Sequence, residues 1–224
     1  MSNNRSVDNG GAVKISWFGH AMFLIESRSG IRIVTDPYDA ETGYTPPEIT
    51  ADIVTLSHHH HDHNNVTAVG GLPRVIDTIG EFHINGLFIE GISSYHDEVK
   101  GEKRGRNTIY MFTIDGLTLA HMGDFGQPIT GEQVKALQGV DVLFIPVGGV
   151  YTLDHKQAAE VVKILKAKVT VPMHYKTKHC TIKVAGVEPF IQEMPVVKHV
   201  GSTVLLSAST LPSEQEVWVM DYIQ

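Results

Sequence analysis

The sequence predicts a layered α/β fold, with sheets covered by helices in a single domain. Two observations carry that expectation. Residues 141–146 and 169–172 are short apolar runs flanking a helical segment, and strands of that kind are buried on both faces. A strand–turn–strand unit ending in an acid occurs twice, at residues 15–36 and 108–124, which points to two similarly built halves.

The first hairpin joins apolar runs 15–27 and 31–36 through Arg28-Ser29-Gly30, and Asp36-Pro37 stops it because proline cannot continue a ladder. Residues 53–56, 75–78 and 87–92 read as further strands. The second hairpin, 108–114 and 117–121, turns at Asp115-Gly116 and leads into Gly123-Asp124. Thr130 with Gln133 makes a capping box for a helix running to Leu137, and Asp154 with Gln157 makes another. In that second helix Ala158, Val161, Val162 and Leu165 recur at helical spacing. Glu188-Pro189 opens a third helix, and residues 203–206 and 216–220 alternate as strands. Residues 1–11 are polar and glycine-bearing, with no apolar core behind a basic start, so they read as a loose tail before a domain spanning 12–224.

A length of 224 residues suits one domain, and 42% hydrophobic with 19% charged residues is globular composition. Eighteen basic against 25 acidic residues leave a formal charge of −7, which argues against a general nucleic-acid binder. The longest apolar stretches are too interrupted to span a bilayer. A single cysteine, Cys180, excludes an intrachain disulfide and fits a reducing, cytoplasmic setting. A homo-oligomer is left open.

Thirteen histidines are unusual, and their placement matters more than their number. The string Ser57-His58-His59-His60-His61-Asp62-His63 follows an apolar strand and precedes Asn64-Asn65. In an extended segment alternate side chains share a side, so His58 and His60 point together while His59 and His61 point away. Asp62 and His63 can then turn toward a second ion. Nitrogen and carboxylate donors suit zinc, iron, nickel or manganese better than calcium. Two ions need further ligands, and His96, Asp124 and His174 each stand at the end of an expected strand, Asp124 where a carboxylate can bridge.

In this order the motifs resemble the metallo-β-lactamase superfamily: Asp36, the His58–His63 string, His96, Asp124 and His174. More narrowly, Gly19-His20, Asp36-Pro37, Arg104-Gly105 with Asn107, Gly123-Asp124 and Met173-His174-Tyr175-Lys176-Thr177 resemble its metal-dependent hydrolase branch, which is similar to the ascorbate-6-phosphate lactonase group. The resemblance runs from Val13 over nearly the whole chain. It implies a four-layer αββα sandwich with two divalent ions at one edge of the paired sheets. His58, His60 and His96 would hold the first ion, Asp62, His63 and His174 the second, and Asp124 would bridge. Asp62 and Asp124 would be the acids at the reacting centre, whereas His59 and His61 fill variable positions and are not carried over.

Asp36 is expected behind the ligands, fixing the histidine loop. His121 is expected either to orient a ligand or to face the layer interior, and His20 either to line the pocket or to serve a turn. Arg104, Arg106, Asn107, Tyr175 and Lys176 lie beside ligands in sequence, and the positive ones suit an anionic substrate group. His83, His155, His179 and His199 read as ordinary structural or surface residues.

The implied function is a hydrolase using a metal-bound hydroxide on a small anionic ester, lactone or phosphodiester, with zinc first and manganese, iron or nickel as alternatives. The lack of a Gly-x-Ser-x-Gly elbow and of a cysteine dyad agrees with that. A di-iron oxidoreductase is the rival from another class, with the all-nitrogen His58/His60 pair and the lack of a flavin domain against it. A non-catalytic metal-binding protein is the third reading, with the filled ligand set against it.

Overall fold

A computed structural model describes residues 11–223, so the tail expected over 1–11 lies outside the described residues apart from Gly11, an exposed turn residue. The apolar run at 15–27 is two strands, β1 (Val13–Trp17) and β2 (Phe23–Glu26), and not one. A turn at Gly19 and His20, both with positive φ, separates them, closed by the Met22 amide donating to the Gly19 carbonyl (3.0 Å). β3 (Arg32–Thr35) pairs antiparallel to β2, and β4 (Ile49–Thr55) and β5 (Val69–Ile76) follow in parallel.

The chain then repeats the plan. After β6 (Gly80–Ile84), β7 (Leu87–Tyr95), β8 (Arg106–Ile114) and β9 (Leu117–His121) pair antiparallel in succession. α1 (Gly131–Ala136) leads to β10 (Val142–Pro146), and α2 (His155–Leu165) to β11 (Val169–Met173), both strands added in parallel. β1–β5 and β7–β11 therefore share one pairing order: two antiparallel steps, then two parallel. Asp36 follows β3 directly, and Asp124 lies three residues beyond β9, so the two acid-ended hairpins take equivalent places in the two sheets.

α3 (Glu188–Ile191) is a single turn with proline in its first positions, shorter than its opening suggests. β12 (Val197–Val200), β13 (Thr203–Leu206) and β14 (Glu216–Met220) finish the chain. β13 returns to β1, giving a six-stranded sheet, while β14 and then β12 extend the other beyond β11 to eight strands. β6 was not expected from the sequence, although its signal was present. Asn85 and Gly86 both take positive φ, as a tight hairpin turn requires, and Asn-Gly is a strong marker of one.

Strand alternation sorts the core. Ile15, Phe23, Ile25, Ile33 and Ile53 belong to the main core with the apolar residues of the eight-stranded sheet. Leu24, Val34 and Val54 point the other way and are covered by Tyr38, Tyr44 and Leu56. Both capping boxes form, and α2 buries Ala158, Ala159, Val161, Val162 and Leu165. Among the described residues α-helix occurs only between positions 131 and 191. In the six-stranded sheet the connections after β3 and β4 run through loops with two 3-10 turns, Ala40–Thr42 and Val66–Ala68. Pro37, Pro46, Pro47 and Gly43 prevent a helix over the first connection, and the second carries the histidine string. No helix among the described residues is long and apolar enough to cross a membrane.

Phe144 on β10 packs on Phe23 of the facing sheet, ring centroids 4.4 Å apart, with neither side chain accessible to solvent. Phe144→Ala should destabilise the fold by about 3–5 kcal/mol, as truncation of a buried aromatic leaves a cavity. The denaturant midpoint of the metal-free chain measures it.

Candidate metal centre

Asp36 organises the histidine string from beneath. Its Oδ1 accepts from the Ser57 amide (2.7 Å), and its Oδ2 accepts from Ser57 Oγ (2.6 Å) and lies 2.8 Å from His63 Nδ1. His63 therefore spends Nδ1 on a buried carboxylate and presents Nε2 to the cluster, the arrangement in which a second partner fixes the tautomer of a ligand. The string is not extended as alternation assumed. It bends at His58 and turns over residues 61–63, the His63 amide donating to the His60 carbonyl (3.0 Å). The sorting of side chains is nevertheless the expected one. His58 and His60 converge with His96, while His59 and His61 are 65% and 61% exposed and face Asp77 and Asp39.

Asp124 is held by its backbone. Its amide donates to Asn107 Oδ1 (2.9 Å), and Asn107 Nδ2 donates to Ser94 Oγ and the Met122 carbonyl. The preceding Gly123 is irreplaceable, because a Cβ there would sit 2.4 Å from Ser57 Cβ and 2.5 Å from Asn107 Oδ1. His121 lies behind the same turn, with Nε2 2.9 Å from the Ala21 carbonyl and Nδ1 accepting from the Gly123 amide (3.2 Å). It faces the layer interior and braces the loop that carries Asp124.

The two oxygens of Asp124 face different ligand groups. Oδ1 is 3.2 Å from His63 Nε2 and 3.3 Å from His174 Nε2, while Oδ2 is 3.1 Å from His96 Nε2 and 3.8 Å from His58 Nε2. Asp62 joins His63 and His174 in one set, and His58, His60 and His96 form the other. His58 Nε2, His174 Nε2 and Asp124 Oδ1 are buried without a hydrogen bond, an expensive condition for lone pairs that no cation neutralises. Bonds of about 2.0–2.2 Å put neighbouring donors on one ion roughly 3–3.5 Å apart, and most of these separations fall there. The residues fit two cations.

The electrostatics agree for the two carboxylates, His58 and His20. Against the effect of burial, however, the Asp124 carboxylate raises His63 and His96, which must give up a proton to bind an ion. Burial opposes ionisation of Asp124, but the surrounding imidazoles, His174 and His63 foremost, hold it well below the usual carboxylate range. Burial likewise opposes ionisation of Asp62, and His63 and His20 together hold its carboxyl below the usual carboxylate range. Burial pushes His58 well down, and it brings His20 to about 4 with help from His174. Ionised carboxylates and neutral imidazoles are the forms that bind metals.

His60, Asp62, His96, Asp124 and His174 line an open cleft of about 790 Å³. Arg104 stands on its wall, donating to the Val150 carbonyl (3.1 Å) and lying 5.5 Å above the Tyr151 ring. The loop that carries it is wound around Asp97, whose carboxylate accepts from the amides of Val99, Gly101, Lys103 and Arg104. Arg106 is exposed in a neighbouring groove. Two expected residues lie away from the cleft. Tyr175 packs on Trp17 in the core, centroids 5.4 Å apart, and Lys176 is tied to the carbonyls of Cys180 and Ile182. Sequence reasoning missed Tyr151 and Lys183, which line the cleft from loops that give no local signal. His83, His155, His179 and His199 join no ligand group among the described residues.

The domain family described as "Beta-lactamase superfamily domain" matches residues 14–174. A UPF0173 metal-dependent hydrolase of Carboxydothermus hydrogenoformans is 30% identical over 194 residues, covering 74% of this chain and 85% of that protein. A crystal structure of a metallo-beta-lactamase superfamily protein from Thermotoga maritima is 40% identical with a TM-score of 0.79, covering 94% of this chain and all of that one. The diiron beta-hydroxylase CmlA of Streptomyces venezuelae, 14% identical with a TM-score of 0.56 over 72% of this chain and 44% of its own, shares the fold alone. The chain belongs to the metallo-β-lactamase superfamily, alongside its UPF0173 metal-dependent hydrolases.

Proposed function

We propose that this protein hydrolyses a small anionic ester, lactone or phosphodiester with two divalent ions, zinc before manganese, iron or nickel, in a reducing cytoplasm. The observation that carries the reading is Asp124, with one oxygen toward each ligand group on the floor of a cleft walled by Arg104. His58, His60 and His96 would hold one ion, Asp62, His63 and His174 the other, and Asp124 both. Bound there, divalent ions supply Lewis acidity, polarising a carbonyl or phosphoryl oxygen and bringing the pKa of a water toward neutrality.

The chain's own residues do the rest. Asp36 and Asn107 keep His63 and Asp124 in place, so little reorganisation accompanies reaction. Arg104 has guanidinium nitrogens left for a substrate phosphate or carboxylate, and Lys183 stands on the same wall. These cations give a chain of charge −7 a locally favourable mouth for an anion.

A matched pair of substrates, with and without the anionic group, tests this on metal-replete enzyme. Wild type should prefer the anionic member, and Arg104→Ala should raise its KM about tenfold, the loss of about 1.4 kcal/mol of binding, with little effect on the neutral one. The loop should survive, since its backbone and not the arginine side chain is anchored on Asp97. Lys176→Ala, outside the cleft, should leave both substrates unaffected. Wild type that shows no preference would remove the anionic requirement.

A further inference from the structure

The turn between β1 and β2 brings to the metal centre a side chain that none of the ligand motifs includes. Gly19 is confined there, because a Cβ would meet the Tyr44 ring at 2.5 Å. His20 follows with φ of 51°, a left-handed conformation that costs a non-glycine residue roughly 1 kcal/mol or more. His174, a ligand by every other criterion, also takes positive φ, and its amide donates to the His20 carbonyl (3.1 Å). The two strained residues thus brace one another, with their rings 4.2 Å apart. His20 is 1% exposed, so its imidazole is committed to the protein interior.

Its Nε2 lies 3.1 Å from His63 Nε2 and 3.2 Å from Asp62 Oδ2. Donor atoms of His20, Asp62, His63 and His174 all fall within 4.8 Å of one another, and all three imidazoles are buried. His63 has already used Nδ1 on Asp36, so its Nε2 lone pair is the group that His20 faces. Once an ion takes that lone pair, a proton on His20 Nε2 loses this acceptor and keeps only Asp62, itself an expected ligand. With His20 Nε2 carrying its own lone pair instead, all four donors serve one centre.

We propose that His20, through Nε2, is a further protein ligand of the second ion. Counting Asp124 Oδ1, that ion has five protein donors, three of them imidazoles. The first has four, from His58, His60, His96 and Asp124 Oδ2. The second ion is then the more enclosed and more tightly held, and a chelator removes the first ion before it. The inference rests on the two-ion reading above.

The direct test is the whole chain, labelled with ¹⁵N-histidine and loaded with ¹¹³Cd. Six histidines should show cadmium–nitrogen coupling, His20 among them. His20→Ala should abolish one coupling and weaken the second ion at least tenfold, and added imidazole should restore it by filling the vacated position. His20→Gln, which keeps a hydrogen-bond donor for Asp62, should not restore it. Two bound ions with only five coupled histidines, and a proton retained on His20 Nε2, would overturn the ligand assignment while leaving the two-ion reading intact. A chain that takes up no cadmium would instead overturn the two-ion reading. The wild-type measurement stands even if a variant does not fold.

Discussion

Replacing Asp124 with alanine should empty both metal positions together. Losing a residue that merely orients a ligand typically costs 10–100-fold in metal affinity. Removing a carboxylate whose oxygens face both groups should therefore cost at least about 100-fold at each. Elemental analysis after equilibrium dialysis should fall from about two ions per chain to a small fraction of one, and hydrolysis should fall with it. His96→Ala is the comparison, because His96 Nε2 approaches only Oδ2, 3.1 Å away, so the second ion should stay. Independent and equal losses in the two variants would rule out a shared carboxylate. The metal-free melting temperatures show whether either variant has unfolded. Asn107→Ala should behave as a weaker Asp124→Ala, since it frees the Asp124 amide without removing the carboxylate.

Within the histidine string the effects should divide by position and not by residue type. His58→Ala and His60→Ala should each remove most of the first ion, measured by elemental analysis and by loss of hydrolysis. His59→Ala and His61→Ala should leave both unchanged within error, since their rings are 65% and 61% exposed and turned toward Asp77 and Asp39. Exposed pairs of that kind contribute about 0–1 kcal/mol to stability. A His59 variant as depleted as a His60 variant would mean that the loop folds differently from the arrangement Asp36 imposes.

Much of this architecture was legible in the chain because its causes are local. Asp115-Gly116 turns the hairpin of β8 and β9, and Asp154 with Gln157 caps α2, because a few adjacent residues contain all the atoms involved. Asn85-Gly86, between β6 and β7, is an equally local signal, whereas the turn at Gly19 and His20 is hidden inside a continuous apolar run. The order of the converging groups, His58 to His63, then His96, Asp124 and His174, was also written in the sequence, since each group stands at or just beyond a strand end.

What only the tertiary structure decided is which distant groups meet. Lys176 lies two residues past His174 yet turns to the Cys180 and Ile182 carbonyls, and Tyr175 enters the core against Trp17. Lys183 reaches the cleft with no local sign of it. Even the alternation that separated His58 and His60 from their neighbours was right for another reason, since the loop is turned and pinned by Asp36 instead of extended. His20 meets Asp62 across 42 positions, and its carbonyl meets His174 across 154. Spacing in the sequence fixes side-chain direction only while the backbone stays regular. Beyond a turn, direction is set by the stacking of two sheets and by buried anchors such as Asp36 and Asn107, whose partners come from other strands.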